Sequence, residues 1–237
     1  MSVIWHDLEC GAYVEDLPFW RALAREHGDP ILDVGAGTGR VALDLAGRGH
    51  KLTALDLDAG LLAELERRCD GLAVETVVAD ARAFALDRRF ALCLVPMQTI
   101  QLLGSADGRV AFLRCAREHL MPGGLLAIAI AEQLEPYDIA DGGPAPVPDM
   151  CERDGIVYSS APTAIRSDGD SFVLERRRET VSTTGARAVG LNTVRLDRVS
   201  ARELELEARA TGLKPRARGR IAATEDYVGS AVVMLGA

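Results

Sequence analysis

Ile31-Leu32-Asp33-Val34-Gly35-Ala36-Gly37-Thr38-Gly39-Arg40 decides how this chain of 237 residues is read. A short apolar run around one acid has the length and composition of a buried strand. Three alternating glycines then turn it straight into a segment that reads as helix. Glycine admits left-handed backbone and lets a ligand lie against the main chain with no Cβ in the way. The helix that follows offers free N–H groups and the positive end of its dipole to that ligand. The dinucleotide fingerprint is Gly-x-Gly-x-x-Gly, and here Arg40 stands where its last glycine would be. Asp33 would repel a pyrophosphate and attract an amino group. The ligand that suits such a mixed turn carries both an ammonium and a carboxylate.

Working downstream, residues 51–56 read as a second strand that ends in Asp56, an acid placed to accept hydrogen bonds from both hydroxyls of a ribose. Asp58 reads as the N-cap of a helix carrying Leu61, Leu62 and Leu65. A third strand over 72–79 ends at Asp80-Ala81-Arg82, and a fourth over 90–95 runs into Pro96-Met97-Gln98-Thr99 and then Gln101. The spacing predicts a helix over 108–120, stopped by Met121-Pro122-Gly123-Gly124, and a fifth strand over 125–131 that leaves Glu132 at its carboxyl end.

In these motifs, over residues 30–131, the chain resembles the class I S-adenosylmethionine-dependent methyltransferases. The resemblance implies S-adenosylmethionine as cofactor. Asp33, Gly35, Ala36, Gly37, Gly39 and Arg40 would surround its amino acid end and Asp56 its ribose, with Leu57 a further cofactor contact. It further implies Asp80 and Ala81 at the adenine, Pro96, Met97 and Gln101 beside the transferable methyl group, and Gln98 toward the acceptor. The Asn/Asp-Pro-Pro-aromatic motif that grips amide or nucleobase nitrogens is missing from the fourth strand end, which argues against a nucleic-acid or glutamine acceptor.

Outside these motifs, a helix is predicted over 16–27, with Pro18 in its first turn and Gly28 beyond its end. Phe19 and Trp20 read as residues that dock this helix, and Tyr13 as a lid over the ligand. Residues 136–148 are rich in Gly, Pro and Asp and read as a loop. Strand-like runs over 156–166, 171–181 and 188–196 follow, joined by short turns, and predict an antiparallel meander. Ser200-Ala201-Arg202-Glu203 is a capping box for a helix ending at Gly212, and residues 214–221 and 227–235 make a terminal antiparallel pair. The expected fold is α/β: a Rossmann-like, doubly wound sheet of seven strands, mostly parallel with an antiparallel last strand. Residues 1–237 are expected to form one methyltransferase domain, with 136–199 an inserted loop and meander that roofs the substrate or faces a second copy.

With 35 acids against 27 Lys and Arg, a formal charge of −8 argues against nucleic acid as the main partner. Arg176-Arg177-Arg178, flanked by Glu175 and Glu179, reads as a solvated strand face. Five scattered cysteines without a Cys-x-x-Cys pair read as reduced thiols with no zinc site, and no run spans a membrane, so a cytoplasmic monomer or homodimer is expected. The implied reaction is in-line displacement, moving a methyl group to a nitrogen or oxygen of a small molecule. An oxygen acceptor wants a base, and His6, Tyr13 and Glu132 are the side chains weighed for it, Tyr13 and Glu132 also as groups that orient the acceptor. Two alternatives stand beside this reading: an NAD(P)-dependent oxidoreductase, which shares the glycine turn and Asp56, and a non-catalytic module that binds the cofactor.

Overall fold

The structure is a computed structural model that describes residues 2–142, 145–225 and 227–237. Its main sheet forms around β1 (Ile31–Val34), whose four residues are all buried. Parallel neighbours lie on both sides: β2 (Leu52–Asp56) and then β3 (Val74–Val78) on one, β4 (Phe90–Val95) and then β5 (Leu120–Ile130) on the other. A continuous apolar run such as Phe90–Val95 is what a strand covered on both faces requires.

Helices cover each face. Trp20 of α2 (Leu17–His27), Leu45 of α3 (Arg40–Ala46) and Leu62 and Leu65 of α4 (Ala59–Arg68) share one buried cluster. Phe112 and Leu113 of α5 (Ala106–His119) and Leu204 and Ala208 of α6 (Ala201–Ala210) share the other. The capping box at Ser200 and Glu203 is formed, with Ser200 accepting from the Glu203 N–H and Glu203 reaching back to the Ser200 N–H.

The last strand, β13 (Ser230–Gly236), runs antiparallel to β5, as the sequence predicts. Its outer edge carries two short pieces, β11 (Lys214–Pro215) and β12 (Gly219–Ile221), so the predicted strand over 214–221 is split. The fifth strand begins at Leu120 instead of 125, and its register with β4 shifts between Phe90 and Leu92.

A separate antiparallel sheet holds the meander β8 (Ile156–Asp168), β9 (Ser171–Val181) and β10 (Arg187–Asp197). Two short strands from the stretch read as loop and its border also pair with β8: β6 (Tyr137–Asp138) and β7 (Asp149–Arg153). Their composition hides them, because edge strands of two and five residues are held by a partner's backbone more than by side-chain pattern. Gly143 and Pro144, inside the predicted loop, lie outside the described residues.

The arginine run is only partly the solvated face expected. Alternation along β9 turns Arg177 outward to Glu179, whereas Arg176 and Arg178 face inward onto Glu9. Glu9 belongs to an N-terminal strap made of α1 (Val3–His6) and a wide helical turn (Asp7–Gly11), neither predicted from sequence.

Gln101 ties the two sheets together. It is fully buried; its Nε2 donates to the carbonyls of Ala131 and Asp197 at 3.2 and 2.9 Å, and its Oε1 accepts from the Ala131 N–H at 2.8 Å. The expectation that Gln101 touches the cofactor is therefore corrected: it holds the ends of β5 and β10. Among the described residues, no helix is long and apolar enough to cross a membrane.

Gln101→Leu keeps the volume and leaves three buried backbone groups without partners. It should lower the free energy of unfolding by about 3 kcal/mol, read from urea titration. A change below about 0.5 kcal/mol would show that the tie carries no stability.

Candidate active site

Gly35, Gly37 and Gly39 leave β1 with φ of 72°, 56° and 93°, all left-handed. Their shape is also required by their neighbours. A Cβ on Gly35 would stand 2.4 Å from the Thr99 side chain, one on Gly37 2.3 Å from the His6 ring, and one on Gly39 2.2 Å from Leu65. The turn is held from below by the Leu55 carbonyl, which accepts from both Gly35 and Ala36. From the side it is held by Asp56: Oδ2 accepts from the Gly37 N–H at 2.8 Å, and Oδ1 from the Asp58 N–H at 2.9 Å. Each carboxylate oxygen keeps a second lone pair, so Asp56 can fix the turn and still accept from ribose hydroxyls.

Asp33 lies beneath the turn, 1% exposed, and its Oδ1 has no hydrogen-bond partner. Burial pushes its carboxyl up to about 7; Arg40 opposes that shift, while Asp56 and Asp16 add to it. An orphaned, buried carboxylate oxygen next to left-handed glycines is the arrangement that a ligand ammonium would complete, so the residues fit the amino acid end of S-adenosylmethionine. At the adjoining ends of β2 and β3, Leu57 and Val78 are 69% and 57% exposed, apolar surface that a purine ring would cover.

Asp80 and Ala81 follow β3 as expected. Asp80 is engaged by Arg82, whose N–H and guanidinium both donate to it and hold its carboxyl below the ordinary range. The pair is exposed, so an adenine amino group can displace the guanidinium at little cost. Past β4, Met97 has φ 54°, a conformation rare outside glycine. The Thr99 hydroxyl donates to the Pro96 carbonyl at 3.0 Å and closes this tight turn, with Gln98 between them.

The other residues expected here are placed elsewhere by partners far away in the chain. Arg40 makes a two-pronged ion pair with Asp16, at 2.5 and 2.8 Å, and donates to the Tyr13 carbonyl. Asp16 also accepts from the Trp20 indole at 2.8 Å. Arg40 is thus corrected from cofactor contact to anchor of the segment before α2. Glu132 accepts the Ala201 N–H at 2.7 Å and caps α6, a structural duty its position at a strand end did not reveal. Tyr13 is 6% exposed, packed on Tyr227 with ring centres 4.8 Å apart and on the Arg40 guanidinium. Burial raises its phenol to about 12. It is a wall rather than a free lid.

His6 does reach the active edge, as roof of the glycine turn. The Thr38 hydroxyl donates to Asp7 at 2.7 Å and so accepts from His6 Nδ1 at 3.3 Å, leaving Nε2 facing Gly37. Burial, ahead of every charge nearby, lowers the imidazole below its ordinary value. Asp7 is further clamped by Arg68 of α4. Trp5 packs edge-on against Tyr158 of β8 and under Arg178. Sequence reasoning missed Asp7, Glu9 and Thr38, whose partners lie tens of residues or more away. Asp16 alone left a signal, standing four residues before Trp20 at the start of a helix.

Residues 31–124 match the family model described as a methyltransferase domain. Over 97 residues the chain is 33% identical to the cypemycin N-terminal methyltransferase of Streptomyces sp, a match covering 41% of this chain and 40% of that protein. The matched region spans only about two fifths of that relative's length. Among solved structures, the sugar N-methyltransferase KedS8 from Streptoalloteichus sp ATCC 53650 superposes with a TM-score of 0.75 at 20% identity, over 98% of this chain and 90% of that one. SAM-bound CalS10, an amino pentose methyltransferase from Micromonospora echinaspora, superposes with a TM-score of 0.73 at 20% identity, over 99% and 97%. These two share the fold.

The high carboxyl pKa of Asp33 makes a stability prediction. Its folded value is raised above the ordinary 3.8, so the stability linked to its protonation is present at low pH and is lost as pH rises toward about 7. In the ligand-free protein, Asp33→Asn should raise the stability at pH 8 by a few kcal/mol at most, roughly 1.4 per pKa unit, with the gain shrinking toward pH 4. Urea unfolding at the two pH values checks this; an equal effect at both would refute it.

Proposed function

We propose, because residues 31–124 match the family model described as a methyltransferase domain, that the chain moves a methyl group from S-adenosylmethionine to a nitrogen of a small-molecule amine. The observation that carries the choice of nitrogen is the state of the three side chains weighed as base. Tyr13 is buried and its phenol raised to about 12, Glu132 caps α6, and His6 is held on the glycine turn. An oxygen acceptor needs a group to take its proton, whereas a neutral amine brings its own lone pair. The names of the relative and of the two neighbouring structures, an N-terminal, a sugar N- and an amino pentose methyltransferase, point the same way.

When bound, the cofactor supplies an electrophilic methyl on its sulfonium. Asp33, the glycine turn and Asp56 would hold its amino acid end and ribose; Leu57, Asp80 and Ala81 would hold the adenine. What remains for the chain is to orient the amine and keep water out, which is where most of the acceleration in such a displacement lies. Met97 is fixed in its left-handed turn by Thr99 and Pro96, and shares an apolar cluster with Tyr13 and Tyr227. These three form a wall beside the reacting centre. Gln98 is the hydrogen-bonding group that would turn the amine lone pair toward the methyl. On this reading the chain acts as one domain, with residues 136–199 as the roof over the acceptor.

A nicotinamide-dependent reading meets two obstacles in the structure: the antiparallel β13 and the buried Arg40 in place of a third glycine. Calorimetric titration with S-adenosylmethionine, S-adenosylhomocysteine and NAD(H) separates the two. Saturable binding of the sulfur compounds alone is expected, and binding of NAD(H) alone would overturn the proposal. Asp56→Ala should weaken cofactor binding at least about tenfold, since a charge-assisted hydrogen bond contributes roughly 1.5–3 kcal/mol. Transfer of labelled methyl to a panel of amino sugars and peptide amines, with phenols as the contrast, then tests the acceptor class.

A further inference from the structure

Among the described residues, Asp33 is a buried acid whose surroundings are incomplete. Its side chain is enclosed on every side, and Oδ1 has no hydrogen-bond partner. The titratable groups that face it come from four directions: Arg40 on α3, Asp16 ahead of α2, Asp56 on β2, and the neutral Cys93 thiol on β4. His6 roofs the turn above and feels Asp56. Arg40 is the positive member of the set, and its guanidinium is already bound in a two-pronged pair to Asp16. An ionised Asp33 therefore adds an acid to an enclosure whose cation is taken. Two acids compete for one base, so the empty site favours a proton on Asp33.

Resting on the methyltransferase reading above, we propose that Asp33 is a proton-linked anchor for the cofactor's amino acid end: it carries a proton in the empty site and gives it to solvent when the cofactor's ammonium arrives. The arriving cation replaces the proton as neutraliser of the carboxylate, so charge in the enclosure is conserved. No bond to carbon or sulfur changes. Attraction across the turn is strong because the site is dry, where a unit charge at short range is far less screened than in water. The carboxyl near 7 places the exchange in the neutral range. Below it, binding must expel a proton held on Asp33, and affinity falls as the solution becomes more acidic. Above it Asp33 is already ionised and affinity levels off. The enzyme would therefore hold both substrate and product cofactor less tightly in acid, whatever the acceptor.

The test is calorimetry of S-adenosylhomocysteine binding to the whole chain in buffers of different ionisation enthalpy. The expected result is release of roughly half a proton or more at pH 6.5 and of almost none at pH 8.5, with affinity rising roughly 25-fold from pH 5.5 to 7.5. Asp33→Asn should bind more weakly with no proton release and no pH slope. Methylthioadenosine, which lacks the ammonium, should bind the unaltered chain without releasing a proton. Infrared difference spectra give an independent readout: the protonated carboxyl band should disappear on binding and be absent from Asp33→Asn. Binding without proton exchange in the unaltered chain would overturn the proposal. So would proton release that persists in Asp33→Asn and vanishes in His6→Gln. Absence of binding by either sulfur compound would instead overturn the methyltransferase reading, and this inference with it.

Discussion

The hydrogen bond from the Gly37 N–H to Asp56 is the constraint on which the rest of the site depends. A chain that leaves a strand through three left-handed residues points its N–H groups out of the sheet, where they have no ladder partner. The Leu55 carbonyl accepts from Gly35 and Ala36, Asp56, one residue on, accepts from Gly37, and the Ala36 carbonyl accepts from Gly39. The turn after β1 is thus fixed by the end of β2. On the proposed reading, a ligand laid along the glycines would meet the same carboxylate that holds them, and affinity for a ribose and the shape of the turn would be one property. Loss of Asp56 would remove both.

A second chain of contacts runs over the top. Trp5 and Glu9 are held by the antiparallel sheet, at Tyr158, Arg176 and Arg178; His6 and Asp7 are held by Thr38 and Arg68. Four residues of the strap therefore join the inserted sheet to the glycine turn. Glu9 is nearly buried, and its contacts with Arg178, Ser160 and Arg176 outweigh the cost of burial and hold it ionised well below its ordinary range. Removing one side of a buried ion pair costs about 3–5 kcal/mol because the other charge is left without a partner. The strap is for that reason a fixed part of the molecule's architecture, packed between the inserted sheet and Gly37.

The strands, the helices and the glycine turn were legible because they are written in local pattern: period, caps and glycine spacing. The ends of β1, β2 and β3 carried Asp33, Asp56 and Asp80 where local reasoning placed them. What local reasoning could not see was the partner of a charged side chain. Arg40 looked like part of a ligand turn, yet Asp16, 24 residues earlier, claims it. Glu132 looked like a base at a strand end, yet it caps a helix 69 residues later. Gln101 looked polar and near the chemistry, yet backbone groups of Ala131 and Asp197 bury it. Arg176 and Arg178 looked solvated beside their acidic neighbours until the pleat of β9 turned them onto Glu9. In each case the deciding interaction joins elements whose approach is set by the fold alone.

The departure from the dinucleotide fingerprint then acquires a physical meaning. The third glycine of that fingerprint serves close packing of helix on strand. Here Gly39 packs instead against Leu65 of α4, where a Cβ would stand 2.2 Å from the leucine side chain. The next position is free to carry a side chain, and Arg40 uses it to bring a cation into the enclosure that holds Asp33 and Asp16. Without that cation, two buried acids beside Asp56 would be far costlier to enclose. With it, the enclosure tolerates one ionised acid comfortably and a second only when another positive charge arrives. Arg40 is committed to Asp16, so Asp33 keeps no cation of its own, and on the proposed reading a ligand ammonium would make up the difference.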